Sequence, residues 1–157
     1  MVQSYYITKF NLKGKFMGTL MIVIGAGLFY SLIIFFVCEE KSLKNANISD
    51  MTCMLKEDVD VGECFEKYNT VRYMLFYFFA VFIFAALVAH YVHIPNHFGL
   101  GEILAYAFVP SLLGSLIILL VKWKFQPMIK IISSFMFGAG YMAATAFAFA
   151  LVYAVNG

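Results

Sequence analysis

Residues 90–98 read HYVHIPNHF and hold all three histidines of the chain. His90 and His93 are one turn apart and so share a helix face. His97 follows Pro95, which has no N–H and ends a regular helix near Ile94. Glu102 comes shortly after, at the start of the next apolar run, close enough in sequence to fold back. Three imidazoles and a carboxylate (His90, His93, His97, Glu102) are chemically adequate ligands for zinc, copper or non-haem iron. With the neighbouring aromatic rings, the same histidines could also border a haem or a quinone. A bis-histidine haem, however, needs ligands from two facing helices at matching depth, and no other apolar run contains a histidine. Any such group would therefore be shared with a partner. The competing reading is a helix end whose amphipathic rings meet lipid headgroups. It is the favoured one, so no cofactor is expected.

Everything else about that cluster depends on the apolar runs around it. The 157 residues are 63% hydrophobic, 18% aromatic and only 13% charged, against about 25% charged in soluble domains. The apolar residues fall into four blocks, 16–37, 73–92, 103–121 and 131–155. Each is near or above the roughly 20 residues an α-helix needs to cross hydrocarbon. Backbone groups unsatisfied in lipid are so costly that such blocks must be helices unless they close a barrel, and strand-like alternation is absent. The fold class expected is therefore an all-α integral membrane protein, a single domain over 1–157 with four transmembrane helices. The first block is too long and too far from Met1 for a cleaved leader, so it should remain.

Segment 39–72 is the one sizeable polar loop, with eight acids against five bases. Counting lysines and arginines by side gives three with the termini and eight on the loop side, which taken alone places the loop in the cytoplasm. Three features argue the reverse: Cys53 and Cys64 with ten residues between them, the loop's net negative charge, and an acceptor pattern for glycosylation at Asn47-Ile48-Ser49. We therefore expect the loop on the non-cytoplasmic side, where a Cys53–Cys64 disulfide would contribute about 3 kcal/mol. Cys38 could take the place of either partner. The membrane itself is not specified by the sequence.

Small residues recur at helical spacing. The fourth block carries Gly140, Ala144 and Ala148, with Ser134 and Gly138 as a second row; the first has Gly18, Gly25 and Gly27; the third has Gly101, Ala105 and Gly114. Such faces let helix backbones approach closely in lipid. Pro110 lies midway along the third block, where a kink is expected. Lys122, Lys124 and Lys130 surround Trp123 as an interfacial anchor.

No helix places a charge or a histidine near its midplane, which removes the usual mark of ion pathways and proton relays. There is no pair of catalytic carboxylates, no serine–histidine arrangement and no phosphate loop. A net charge of +2 leaves no basic stripe for nucleic acid. The expectation is a non-enzymatic accessory subunit that packs through small-residue faces into a larger membrane complex, with lipid and other subunits as its partners. The alternative is a redox-complex anchor using the histidines. A cysteine pair in the first loop, an upstream glycosylation pattern and Arg72 opening the second helix are together similar to the claudin and peripheral-myelin families. That similarity implies a junction- or adhesion-type tetraspan as a second alternative. This loop contains no tryptophan, around which that family's signature is built, so no family residue is carried over.

Overall fold

The computed structural model describes residues 2–44 and 70–157, with side chains placed for 13–39 and 71–157. Four α-helices make up this part: α1 (Val2–Lys44), α2 (Thr70–Val88), α3 (Leu100–Val121) and α4 (Pro127–Asn156). No strand occurs among the described residues. All four helices are long and apolar enough to cross a membrane.

The helices exceed the expected blocks because polar residues do not end a helix once it leaves an apolar region. α1 runs through Lys9, Lys13 and Lys15 at one end and to Lys44 at the other. α4 begins at Pro127, whose fixed φ and missing N–H suit a first helical position. Pro110 is buried inside α3. Segment 45–69, with Asn47, Cys53 and Cys64, lies outside the described residues.

α2 ends differently from the others. Pro95 can offer no N–H to the carbonyl four residues back, and its ring crowds that carbonyl. The helix widens just before it, into a π-turn over Ala89–His93. The Ile94 N–H donates to Ala89 O at 3.0 Å and the Phe98 N–H to His93 O at 3.1 Å, each reaching back five residues. An α-helical row of every fourth residue normally drifts around the helix, and the wider turn offsets the drift. Tyr77, Val81, Ala85, Ala89 and His93 thus form one buried line.

The four helices pack as a ring, α1 against α2 and α3, and α4 against the same two from the opposite corner. Phe35 of α1 meets Tyr77, while Tyr30 stacks on Phe84, so α1 and α2 are antiparallel. α2 and α4 run in the same direction, with Tyr77 beside Phe137 and His93 beside Phe149. α3 and α4 are fastened by serine hydroxyls. Ser115 Oγ donates to Ser134 O and Ser134 Oγ donates to Ser115 O, both at 3.0 Å, and Ser111 Oγ donates to Gly138 O at 3.0 Å. The contact is this close because Gly138 lacks a side chain: a Cβ there would lie 2.7 Å from Ser115 Oγ.

Interhelical hydroxyl bonds of this kind contribute about 0.6 kcal/mol each in membrane bundles. We therefore expect Ser115→Ala to lower stability by that order in detergent unfolding. Ser115→Ala/Ser134→Ala should cost roughly twice as much. No change in the double variant would show that the clasp contributes nothing.

Met21, Phe29, Phe76, Phe79, Leu120 and Phe135 are among many large apolar side chains left exposed, whereas Ser31, Ser111, Ser133, Thr145, His93 and Lys122 are buried. Such an exterior has no favourable exchange with water.

Candidate functional site

His93 and Lys122 are buried at opposite ends of the bundle, with Ser31, Ser111 and Thr145 buried between them. At one end stands His93, 0% exposed. Its ring is packed at 4.8 Å from Phe98, 4.7 Å from Phe149 and 6.0 Å from Tyr106, all edge-to-face. Neither Nδ1 nor Nε2 of His93, nor the hydroxyl of Tyr106, has a hydrogen-bond partner among the described residues. A Cβ at Gly27 would lie 2.8 Å from Tyr141 Oη and 3.0 Å from Tyr106 Oη. The two hydroxyls therefore converge on a bare stretch of α1 backbone, and Tyr141 Oη donates to Tyr106 O at 3.3 Å.

The other sequence candidates do not join His93. His90 and His97 are exposed, and Glu102 is half-buried in the first turn of α3. His97 takes a left-handed conformation with φ 52° as the chain turns toward α3. No group of three His, Cys, Asp or Glu side chains among the described residues is placed to share a metal ion. Haem fits poorly as well, since an axial ligand must face open space and three rings enclose His93. What remains there is a pair of unsatisfied donors and acceptors, His93 and Tyr106, sealed in aromatic surroundings.

The opposite end was not foreseen. Lys122, at the close of α3, is 4% exposed. Its ammonium is paired with the carboxylate of Glu39 on α1, donates to Ser133 Oγ at 3.2 Å, and stands 5.5 Å over the Phe125 ring. Burial pulls Lys122 down to about 8. Gln126, at the N-cap of α4, is also buried, and its amide nitrogen has no partner among the described residues.

A lysine touching a serine is the geometry of a nucleophile with its base. Here the Glu39 carboxylate pairs with the same ammonium. Ser133 is itself only 5% exposed. The ion pair ties the end of α1 to the α3–α4 turn. No sequence signal marks the pair, because its members lie 83 residues apart and each looks like an ordinary helix-end charge.

The small residues expected to bind neighbours are mostly used inside. Gly138, Ala144 and Ala148 are buried, and Gly140 rests against Tyr77, with a Cβ there 3.0 Å from its ring. Gly114 accommodates Phe137 and Gly27 the two tyrosine hydroxyls. Gly14, Gly18 and Gly25 on α1, and Gly101 on α3, differ: a Cβ at any of them meets nothing within 4 Å. No known family model, curated protein or solved structure matches the chain.

Proposed function

We propose that this chain is a multi-pass integral membrane protein that works as a non-catalytic packing subunit of a larger membrane assembly. The observation that carries this reading is the open glycine row of α1. Gly14, Gly18 and Gly25 are spaced by four and seven residues, which puts them within about 40° of one another around the helix. All three are exposed, and Met17, Met21 and Ile22 beside them are exposed as well. A row that lets a backbone approach closely, with none of the described helices against it, suits a helix from another subunit. The apolar exterior of all four helices supports the membrane setting, and the inward-turned hydroxyls, His93 and Lys122 support it further. We propose that the polar loop 39–72 lies on the non-cytoplasmic side, as its cysteine pair and glycosylation pattern suggest.

Gly18→Leu tests the reading. The added side chain enters open space, so the monomer's own unfolding midpoint should be unchanged. Proteins that co-purify with the wild type in mild detergent should be lost. An unaltered set of partners, or a wild type that purifies alone, would defeat the reading.

A second reading, an anchor for a quinone-type cofactor, draws on one observation: His93 and Tyr106 present unpartnered polar atoms in the bundle interior. Both are 0% exposed, so a ligand would have to enter by displacing α1 at Gly27. Solvent extraction of the protein purified from its membrane decides it, since a quinone-free extract from fully loaded membranes discards this reading.

A further inference from the structure

Three unpaired polar atoms meet where α2 ends. His93 is 0% exposed, and neither its two ring nitrogens nor the hydroxyl of Tyr106 has a hydrogen-bond partner among the described residues. A buried donor or acceptor without a partner loses its hydration and gains nothing in exchange. A short movement would relieve His93, since His90, three residues earlier, is already exposed. What keeps the ring inside is the π-turn Ala89–His93. Such a turn fits about one extra residue into the helix, so the residues at its far end are rotated by up to roughly 100° from their places in a regular α-helix. Without the turn, His93 swings toward the flank of α2 that carries His90.

The backbone makes that change at little loss. Ile94 N–H donates to Ala89 O, five residues back, while Asn96 N–H already donates four residues back, to Val92 O at 3.3 Å. In a regular ladder the Ile94 N–H moves one carbonyl along, to His90 O. That carbonyl gains, because Pro95, five positions on, has no N–H to give it. The one donor released is the Phe98 N–H, which leaves His93 O at the bundle end. Opposing the change is the Pro95 ring, which crowds the carbonyl of Tyr91 in a regular helix. Just beyond, His97 holds φ 52°, an unfavourable value for a residue with a side chain. The connection that absorbs the rotation is therefore strained in the structure, not at rest.

We propose that the Ala89–His93 segment is a two-position switch. In the position the structure shows, the π-turn holds His93 in the core. In the other, the segment is regular α-helix and His93 stands beside His90, its nitrogens hydrated or bonded to headgroups. Phe98 links the switch to α1. Its ring is 6% exposed and lies 4.8 Å from His93 and 4.7 Å from Phe16 of α1. Turning His93 outward removes one of those supports and loosens the hold of the bundle on the start of α1, where Gly14 and Gly18 lie open. The switch belongs to the bundle itself and does not rest on the packing-subunit reading.

Diethyl pyrocarbonate, which carbethoxylates accessible imidazole, tests the proposal on the full chain in phosphatidylcholine vesicles, with each histidine followed by mass spectrometry. His90 and His97 should react first. His93 should react to completion but about tenfold or more slowly, as a site open only in a minor population does. Pro95→Ala removes the ring that disfavours the regular ladder, and should speed His93 several-fold without changing His90. His93→Phe keeps an aromatic ring but has no nitrogen to relieve, so amide exchange across residues 89–98 should slow several-fold relative to the wild type. His93 that stays unmodified after His90 and His97 are spent overturns the proposal. So does a His93 rate that Pro95→Ala leaves unchanged, or one that matches amide exchange in the middle of α4, which would be opening of the whole bundle.

Discussion

Phe137→Ala should lower the stability of the bundle by on the order of 3 kcal/mol in reversible detergent unfolding. Phe137 is 0% exposed and sits at the meeting point of all four helices. Its ring lies 5.5 Å from Phe35 of α1, 5.6 Å from Tyr77 of α2 and 6.4 Å from Tyr141 of its own helix, and its edge fills the space above Gly114 of α3. In lipid the driving force for such a core is dispersion and close fit, because the tails outside are as apolar as the side chains inside. Truncation leaves a void that the surrounding rings can close only partly. The reciprocal change gives a sharper test. A Cβ at Gly114 would overlap the Phe137 ring, which three neighbouring rings hold in place. Gly114→Ala alone should therefore cost about 1–3 kcal/mol by overpacking. In Gly114→Ala/Phe137→Ala the clash is absent and the new methyl occupies part of the void. The double variant should then be more stable than the sum of the single losses implies, by about 1 kcal/mol or more. Strictly additive losses would mean that the two positions do not share this space.

The contrast between Phe137 and Phe135 shows what can be read from such a sequence. Both belong to an apolar run that is visibly a helix, yet Phe137 is fully buried and Phe135 is 73% exposed. In a water-soluble helix the burial pattern is printed as a hydrophobic stripe. Lipid and core are equally apolar, so hydrophobicity counted the four helices without saying which faces turn inward. The more informative marks were the small polar residues. Ser134 and Gly138 do lie on the packed face, because a hydroxyl or a bare backbone gains from a neighbouring helix and little from lipid. The same reasoning applied to α1 separated less well: Gly27 is buried against two tyrosine hydroxyls whereas Gly18 and Gly25, equally small, look outward. The histidines were legible as a helix end at Pro95. That His93 alone would enter the core depended on the π-turn, which holds it on the line of Tyr77 and Ala85. A sequence read with a regular 3.6-residue period gives no hint of that turn.

Glu39 and Lys122 lay beyond sequence reasoning altogether, and they carry the second large prediction. Glu39→Gln should destabilise the protein by about 3–5 kcal/mol near neutral pH, the usual cost of removing one member of a buried ion pair. The carboxylate that goes is the only acid among the described residues that pairs with Lys122, leaving an ammonium against a serine hydroxyl and the face of Phe125. Glu39→Leu/Lys122→Met should cost much less than Glu39→Gln, because neither charge then stays behind in a dry site. The pH dependence follows from the lysine. Burial lowers its folded pKa to about 8, whereas an unfolded lysine titrates near 10.4. Between those values the unfolded chain binds the proton and the folded one does not, so unfolding free energy rises with pH, by up to about 1.4 kcal/mol per unit. Below about pH 8 both states are protonated and this contribution is flat; it is complete once pH passes the unfolded value. In Glu39→Gln the unpaired ammonium is costlier still, so its folded pKa moves further down and recovery on raising the pH starts earlier than in the wild type. Unfolding midpoints of wild type, Glu39→Gln and the double variant, followed from neutral pH to about pH 10, give the comparison. A Glu39→Gln deficit that does not shrink as pH rises would show that Lys122 is not the charge that Glu39 neutralises.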